Sequence, residues 1–194
     1  LNKPSGISVQ SGTKSPKNLI DILNKFSEDK KFYLVHRIDK ETSGIIVFAC
    51  NRLFAQTLSE QFRNKDVKKS YLAILYGSIP RNEGTLDHDL VFKVKNQMKT
   101  FKAETDFSVL SKNKDFSYVE ATPITGRKHQ IRQQFFKVNH PIVGDRKYEI
   151  PHYVNNNKFL MLHSYKIIFF DKGKEKTFKV EPPKDFNNFL KQSN

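Results

Sequence analysis

The stretch His36-Arg37-Ile38-Asp39-Lys40-Glu41-Thr42-Ser43-Gly44 lies between two short apolar runs, Phe32-Tyr33-Leu34-Val35 and Ile45-Ile46-Val47-Phe48-Ala49-Cys50. Short runs rich in β-branched and aromatic residues read as strands, so the polar stretch reads as a loop joining them. Upstream, Ser15-Pro16 offers an N-cap and a first helical residue, and Leu19, Ile20, Leu23 and Phe26 follow at helical spacing, predicting a short amphipathic helix that ends near Ser27. Downstream, Asn51 can cap a helix carrying Phe54, Leu58 and Phe62 at i, i+4 and i+8, which ends in the basic residues 65–69. Residues 71–76 then read as a buried strand.

Farther along, strands are expected over residues 101–109, 116–121, 159–170 and 177–180, with Asp171-Lys172-Gly173 as the turn between the last two. Helical spacing returns after Gly126, at Ile131, Phe135 and Val138, and again at Phe186, Phe189 and Leu190. Strands and helices are intermixed without a regular βαβ alternation. This predicts an α+β fold with a mixed, mainly antiparallel central sheet flanked by helices, in one domain over residues 1–194. The chain opens at Leu1 directly onto the turn signal Asn2-Lys3-Pro4-Ser5-Gly6, and so reads as a fragment.

The 194 residues suffice for one sizeable core. No apolar run approaches the about 20 residues that span a bilayer, and no signal-peptide pattern opens the chain, so a cytoplasmic location is expected. The single Cys50 excludes an intramolecular disulfide and a Cys-rich zinc site, and no metal is expected. Lys and Arg total 34 against 20 acidic residues, a formal charge of +14. Such an excess points to a polyanion, nucleic acid first. A bias of the coding sequence toward A and T would also enrich Lys, Asn, Ile and Phe, and charge alone leaves both readings open.

Each motif taken alone also carries two readings. An isolated His-x-x-Asp reads first as an ordinary surface ion-pair cluster and only second as a catalytic motif, because so short a pattern recurs freely. Lys69 and Tyr71 on one strand face fit a Lys stem lying beside a core Tyr. Thr125-Gly126-Arg127-Lys128-His129-Gln130-Ile131-Arg132 fits either a solvated basic helix start or a phosphate site built from exposed N–H groups and cations.

Their order along the chain decides between these readings. The stretch 36–44 resembles the active-site signature of the RluA-type pseudouridine synthases, the ribosomal large subunit family. Asn2-Lys3-Pro4-Ser5-Gly6-Ile7-Ser8-Val9 resembles that family's opening segment, and Lys69-Ser70-Tyr71-Leu72-Ala73 with Gly77 its Lys-x-Tyr-x-Ala strand. Residues 125–132 followed by Pro141-Ile142-Val143-Gly144-Asp145 resemble its third motif, and Leu162-His163 the start of its closing strand. Departures are Ile38 in place of Leu, Lys128 where Ser or Thr is commoner, and Lys147-Tyr148-Glu149 without a Gly after the Tyr. The resemblance implies the pseudouridine synthase fold, and many members carry a small S4-like RNA-binding domain ahead of it.

It also implies a chemistry. The bond from N1 to C1′ of a uridine breaks, the uracil rotates, and C5 bonds to C1′, with no redox change, no group donor and no cofactor. By resemblance Asp39 is the essential carboxylate, which attacks C1′ or removes a sugar proton and must be ionised for either. Arg132 matches the Arg that pairs with that carboxylate, and Tyr71 the residue that lies against the uracil and handles the proton leaving C5. Ile131 is expected to pack below the base. Arg37 matches the residue that fills the space left by the flipped base, while Lys69, Arg127 and Lys128 are candidate phosphate contacts. His36 is expected to orient or support, and His163 and Asp145 to be structural.

The expected partner is RNA, ribosomal first and transfer RNA second, bound by a monomer. A non-catalytic RNA-binding or ribosome-assembly module accounts for the charge but not for the five ordered segments. A nuclease ranks last, because no carboxylate cluster with metal-ligand character and no catalytic His pair is visible.

Overall fold

The computed structural model describes residues 1–11, 18–27, 29–151 and 157–192, so the expected helix start at Ser15-Pro16 lies outside the described residues. In chain order the elements are β1 (Asn2–Lys3), α1 (Leu19–Phe26), β2 (Tyr33–Leu34), β3 (Ser43–Ile45), β4 (Phe48–Ala49), α2 (Arg52–Asn64), β5 (Lys68–Tyr76), β6 (Glu83–Leu86), β7 (Leu90–Val94), β8 (Gln97–Phe101), β9 (Thr105–Lys112), β10 (Phe116–Pro123), α3 (Gln130–Lys137), β11 (Leu162–Asp171), β12 (Lys174–Lys179) and α4 (Lys184–Gln192). The chain divides into two compact units. The first comprises residues 1–69 and 163–181, the second residues 70–162 and 182–194.

In the first unit β3 is paired antiparallel with β1 and parallel with β11, and β12 returns antiparallel along β11. The turn expected at residues 171–173 is present. Asp171 pairs with Lys174, and Lys172 and Gly173 both take positive φ, the conformation that a two-residue hairpin requires. α2 begins where Asn51 is expected to cap it, the side chain accepting the Phe54 N–H at 2.8 Å, and closes on Lys65 in a left-handed conformation. Its Leu58 is buried with Ile45, Val67, Ile167 and Phe169, and Phe54 and Phe62 pack against this cluster. The i, i+4, i+8 stripe thus forms the core of the unit. α1 departs from expectation: Leu19 is buried, but Phe26 at the end of the apolar stripe is 91% exposed. Its cap is Asn18, whose side chain accepts the Asp21 N–H.

The second unit is built on the antiparallel order β5-β10-β9-β6, with β7 and β8 forming a separate two-stranded hairpin. Residues 72–75 of β5 are buried, as expected of that strand. Phe107 on β9 meets Phe135 on α3 edge to face, with centroids 5.8 Å apart. The expected strand over residues 101–109 is interrupted between β8 and β9, and the run 45–50 is likewise shared by β3 and β4. Parallel and antiparallel pairing, with helices interspersed among the strands, make this the expected α+β class.

Candidate active site

The loop between β2 and β3 carries the 36–44 stretch, and the buried ammonium of Lys3 anchors it. Lys3 has no exposed surface, and its Nζ donates to the carbonyl oxygens of Pro4 at 2.9 Å, Ile7 at 3.0 Å and Lys40 at 3.0 Å. Burial lowers its pKa to about 8, while the negative charges of Glu41 and Asp39 act in the opposite direction. The loop is tied further by Gly6 N–H to Lys40 O at 2.9 Å, Ser5 Oγ to Glu41 O at 2.6 Å, and Thr42 N–H to Asp39 O at 3.2 Å. Along it Arg37 is exposed, Ile38 buried and Asp39 half-buried. Asp39 is thus the half-buried acid of a pinned loop, with a fixed cation within electrostatic reach.

His36 is an acceptor here. Its Nε2 takes the Val47 N–H at 2.8 Å, which puts the ring proton on Nδ1, and the ring stacks on Phe62 at 4.7 Å. Burial, reinforced by the positive charge of Lys69, pushes its pKa down to about 3 and keeps it neutral. Lys69 is half-buried, with its ammonium 6.0 Å from the Phe62 ring centroid, and burial lowers its pKa. The first unit thus brings Lys69 to His36 through Phe62.

Gly44 ends the motif because only glycine fits there. With φ +103° it lies against β11, and a Cβ would sit 2.2 Å from the Ser164 carbonyl oxygen. Next to it, buried His163 accepts from Ser43 Oγ through Nδ1 at 2.9 Å and donates from Nε2 to Val180 O at 2.9 Å. Both ring nitrogens are thus engaged within this unit.

The second unit holds Tyr71, Arg127, Lys128, Ile131 and Arg132. Tyr71 is half-buried on β5, opposite Ala121 of β10. Ile131 and Arg132 are buried in the first turn of α3, and Arg127 and Lys128 are exposed just before it. Arg132 forms a two-pronged pair with Asp145, Nε to Oδ2 at 2.7 Å and Nη2 to Oδ1 at 2.8 Å, and its guanidinium lies 5.3 Å from the Tyr148 ring centroid. Asp145 Oδ1 also accepts the N–H groups of Lys147 at 2.9 Å and Tyr148 at 3.1 Å. Arg127 donates from Nε to Lys102 O at 3.1 Å and lies over Phe101 at 5.3 Å.

Sequence reasoning passes over Lys3, and it gives Asp145 a structural role without naming the partner. Both stand in segments that carry the resemblance, but a buried Lys and a particular ion pair have no local sequence signal. Among the described residues no group of three or more His, Cys, Asp or Glu could hold a metal ion, and no helix is long and apolar enough to cross a membrane.

The sequence pattern of the RNA pseudouridylate synthases matches residues 1–137, and the chain belongs to that family. It is 35% identical over 201 residues to ribosomal large subunit pseudouridine synthase C of Buchnera aphidicola (subsp. Baizongia pistaciae), a match covering 96% of this chain and 64% of that protein. It is also 35% identical to the dual-specificity RNA pseudouridine synthase RluA of Yersinia pestis, covering 86% of this chain and 85% of that one. The chain spans a little under two thirds of the length of the Buchnera protein. Among solved structures, human RNA pseudouridylate synthase domain containing 4 superposes with a TM-score of 0.82 at 27% identity, covering 98% of this chain and 87% of that one. Human RNA pseudouridylate synthase domain containing 1, at 24% identity and a TM-score of 0.79, shares the fold.

Proposed function

We propose that residues 1–194 are the catalytic domain of an RNA pseudouridine synthase, which isomerises uridines of large-subunit ribosomal RNA and works as a cytoplasmic monomer with Asp39 as its essential carboxylate. The observation that carries this reading is the pinned loop: three carbonyl acceptors hold Lys3, and Lys3 in turn holds the backbone beside Asp39. A carboxylate that must meet C1′ at a fixed distance needs such a frame. The names of the relatives support the substrate class.

In this reading the reaction requires the charged carboxylate of Asp39, and the Lys3 ammonium lies within electrostatic reach of it. Arg132 serves the chemical step as a cation, and Asp145 sets the plane of its guanidinium. Tyr71 lies against the uracil, Ile131 packs below it, and Tyr71 passes the C5 proton on as the new C–C bond matures. Arg37, exposed on the loop, replaces the flipped base, and Arg127 and Lys128 meet phosphates. Lys69, packed on Phe62, contributes its charge from a half-buried position.

The test is pseudouridine mapping after incubation of ribosomal RNA with the protein and with Asp39→Asn. The unaltered protein introduces pseudouridine at defined positions, and the variant introduces none while binding RNA within a few-fold of the original. Turnover by the variant near the unaltered rate removes Asp39 from the mechanism. Tight binding without any product, by the unaltered protein, favours a non-catalytic RNA-binding module.

A further inference from the structure

α3 starts without the usual cap. His129, its N-cap residue, has φ +52° and makes no side-chain capping bond. The first helical residue, Gln130, instead ties the preceding loop to β9 and to Glu104 with its side chain. Its Oε1 accepts Thr125 Oγ1 at 2.7 Å and the Arg127 N–H at 3.0 Å, and its Nε2 donates to Glu104 O and Thr105 Oγ1, both at 2.9 Å. Thr125 Oγ1 accepts the Glu104 N–H at 2.9 Å, and Thr105 Oγ1 donates to Gln134 Oε1 at 2.6 Å. Each hydroxyl therefore serves once as donor and at least once as acceptor, which fixes the amide of Gln130 in one orientation. Gln130 is only 5% exposed, so removing its amide leaves several buried donors and acceptors unsatisfied.

From these bonds we infer that Gln130 is a positioning residue: it locks residues 125–129 to Glu104 and Thr105 and so holds Arg127 and Lys128 at a fixed place for an RNA backbone. The inference rests on the reading of Arg127 and Lys128 as phosphate contacts. Arg127 is held at both ends, its N–H on Gln130 and its guanidinium on Lys102 O and Phe101. A loop fixed in this way presents its cations without first having to be ordered, so the benefit falls on binding. Gln134 is the internal comparison. It is also buried and shares the Thr105 hydroxyl with Gln130, but its side-chain bonds run to Thr105, Leu86 and Ala103 rather than to residues 125–129: Oε1 accepts from Thr105 Oγ1, and Nε2 donates to Leu86 O at 2.7 Å and Ala103 O at 2.9 Å.

The experiment compares Gln130→Met and Gln134→Met, both neutral and close in volume, by steady-state kinetics and by RNA affinity against salt. Gln130→Met raises KM by about tenfold and leaves kcat within roughly threefold, as loosening of a binding loop predicts. Its plot of log affinity against log salt becomes shallower by about 0.7 for each single-strand phosphate that the loosened loop no longer neutralises. Gln134→Met loses comparable stability and keeps the original KM and slope. Thr125→Val, which removes the hydroxyl, repeats the Gln130→Met pattern even if that variant fails to fold, and Thr125→Ser restores the original values. Unchanged KM and slope in both Gln130→Met and Thr125→Val, or an equal rise in KM for Gln134→Met, overturn the inference. If the unaltered protein binds RNA but forms no pseudouridine, the proposed activity falls, and the salt slopes still decide the role of Gln130.

Discussion

Arg132 and Asp145 face each other through two parallel hydrogen bonds in the interior of the second unit, the guanidinium 4% and the acid 2% exposed by residue. Thirteen positions apart in sequence, they join the start of α3 to the turn that follows Gly144. Gly144 makes that turn with φ +81°, where a Cβ would meet the Phe159 carbonyl at 1.8 Å.

Breaking this pair from one side leaves a buried charge without its partner, so Asp145→Ala lowers stability by about 3–5 kcal/mol. Chemical denaturation measures this. Arg132→Met and Asp145→Ala together lose less than the sum of the two, because the second substitution removes the charge that the first left unpaired.

The two arginines of the proposed mechanism separate by substrate. If buried Arg132 serves the chemical step, as proposed, Arg132→Met slows single-turnover isomerisation equally for a structured RNA and for an unstructured oligonucleotide with the same uridine. Exposed Arg37 acts on extrusion of the base. Arg37→Met slows a stacked or paired target most and an unstacked one least, since unpairing takes a few kcal/mol. Equal losses for Arg37→Met on both RNAs move it out of the base-replacement role.

Stability falls with acid through His36. Its folded pKa, about 3, lies below the unfolded value of 6.5, so between these values the unfolded chain binds the extra proton and stability rises with pH. From pH 6.5 to pH 5 this group alone removes about 2 kcal/mol. Buried His163, with its pKa also lowered mainly by burial, adds in the same direction. Below pH 6.5 the denaturation midpoint of the unaltered protein should fall more steeply than that of His36→Gln, whose side-chain oxygen can still accept the Val47 N–H.

Two glycines of the opening motifs differ in what they require. Gly6→Ala meets nothing within 4 Å and loses only the conformational part, about 1–3 kcal/mol for a left-handed residue. Gly44→Ala adds a collision with the backbone of Ser164, so its midpoint in thermal denaturation falls well below that of Gly6→Ala.

Local signals in the sequence decided a good part of the fold. Asn51 capping α2, the Phe54, Leu58 and Phe62 stripe, the Lys172-Gly173 turn and the helical spacing at Ile131 and Phe135 each act within a few residues. These features depend on neighbours that the sequence itself supplies. The stretch 36–44 was legible for the same reason, as an ordered set of side chains.

Tertiary structure decided the rest. β6, β7 and β8 were not anticipated, because residues 83–101 mix lysines with apolar residues and become strands only through the partners they find, β9 for β6 and each other for β7 and β8. Phe26 continues an apolar stripe in sequence yet stands in solvent, since periodicity does not say which residues of a helix find a surface to cover. Likewise Lys3 is a surface residue by composition and a buried anchor in fact, because the carbonyls of Pro4, Ile7 and Lys40 converge on it only after β1 pairs with β3. Residue types and their order identify the chemistry a chain can carry. Which carboxylate holds Arg132 and which carbonyls hold Lys3 depend on distances between remote segments, and those exist only once the chain has folded.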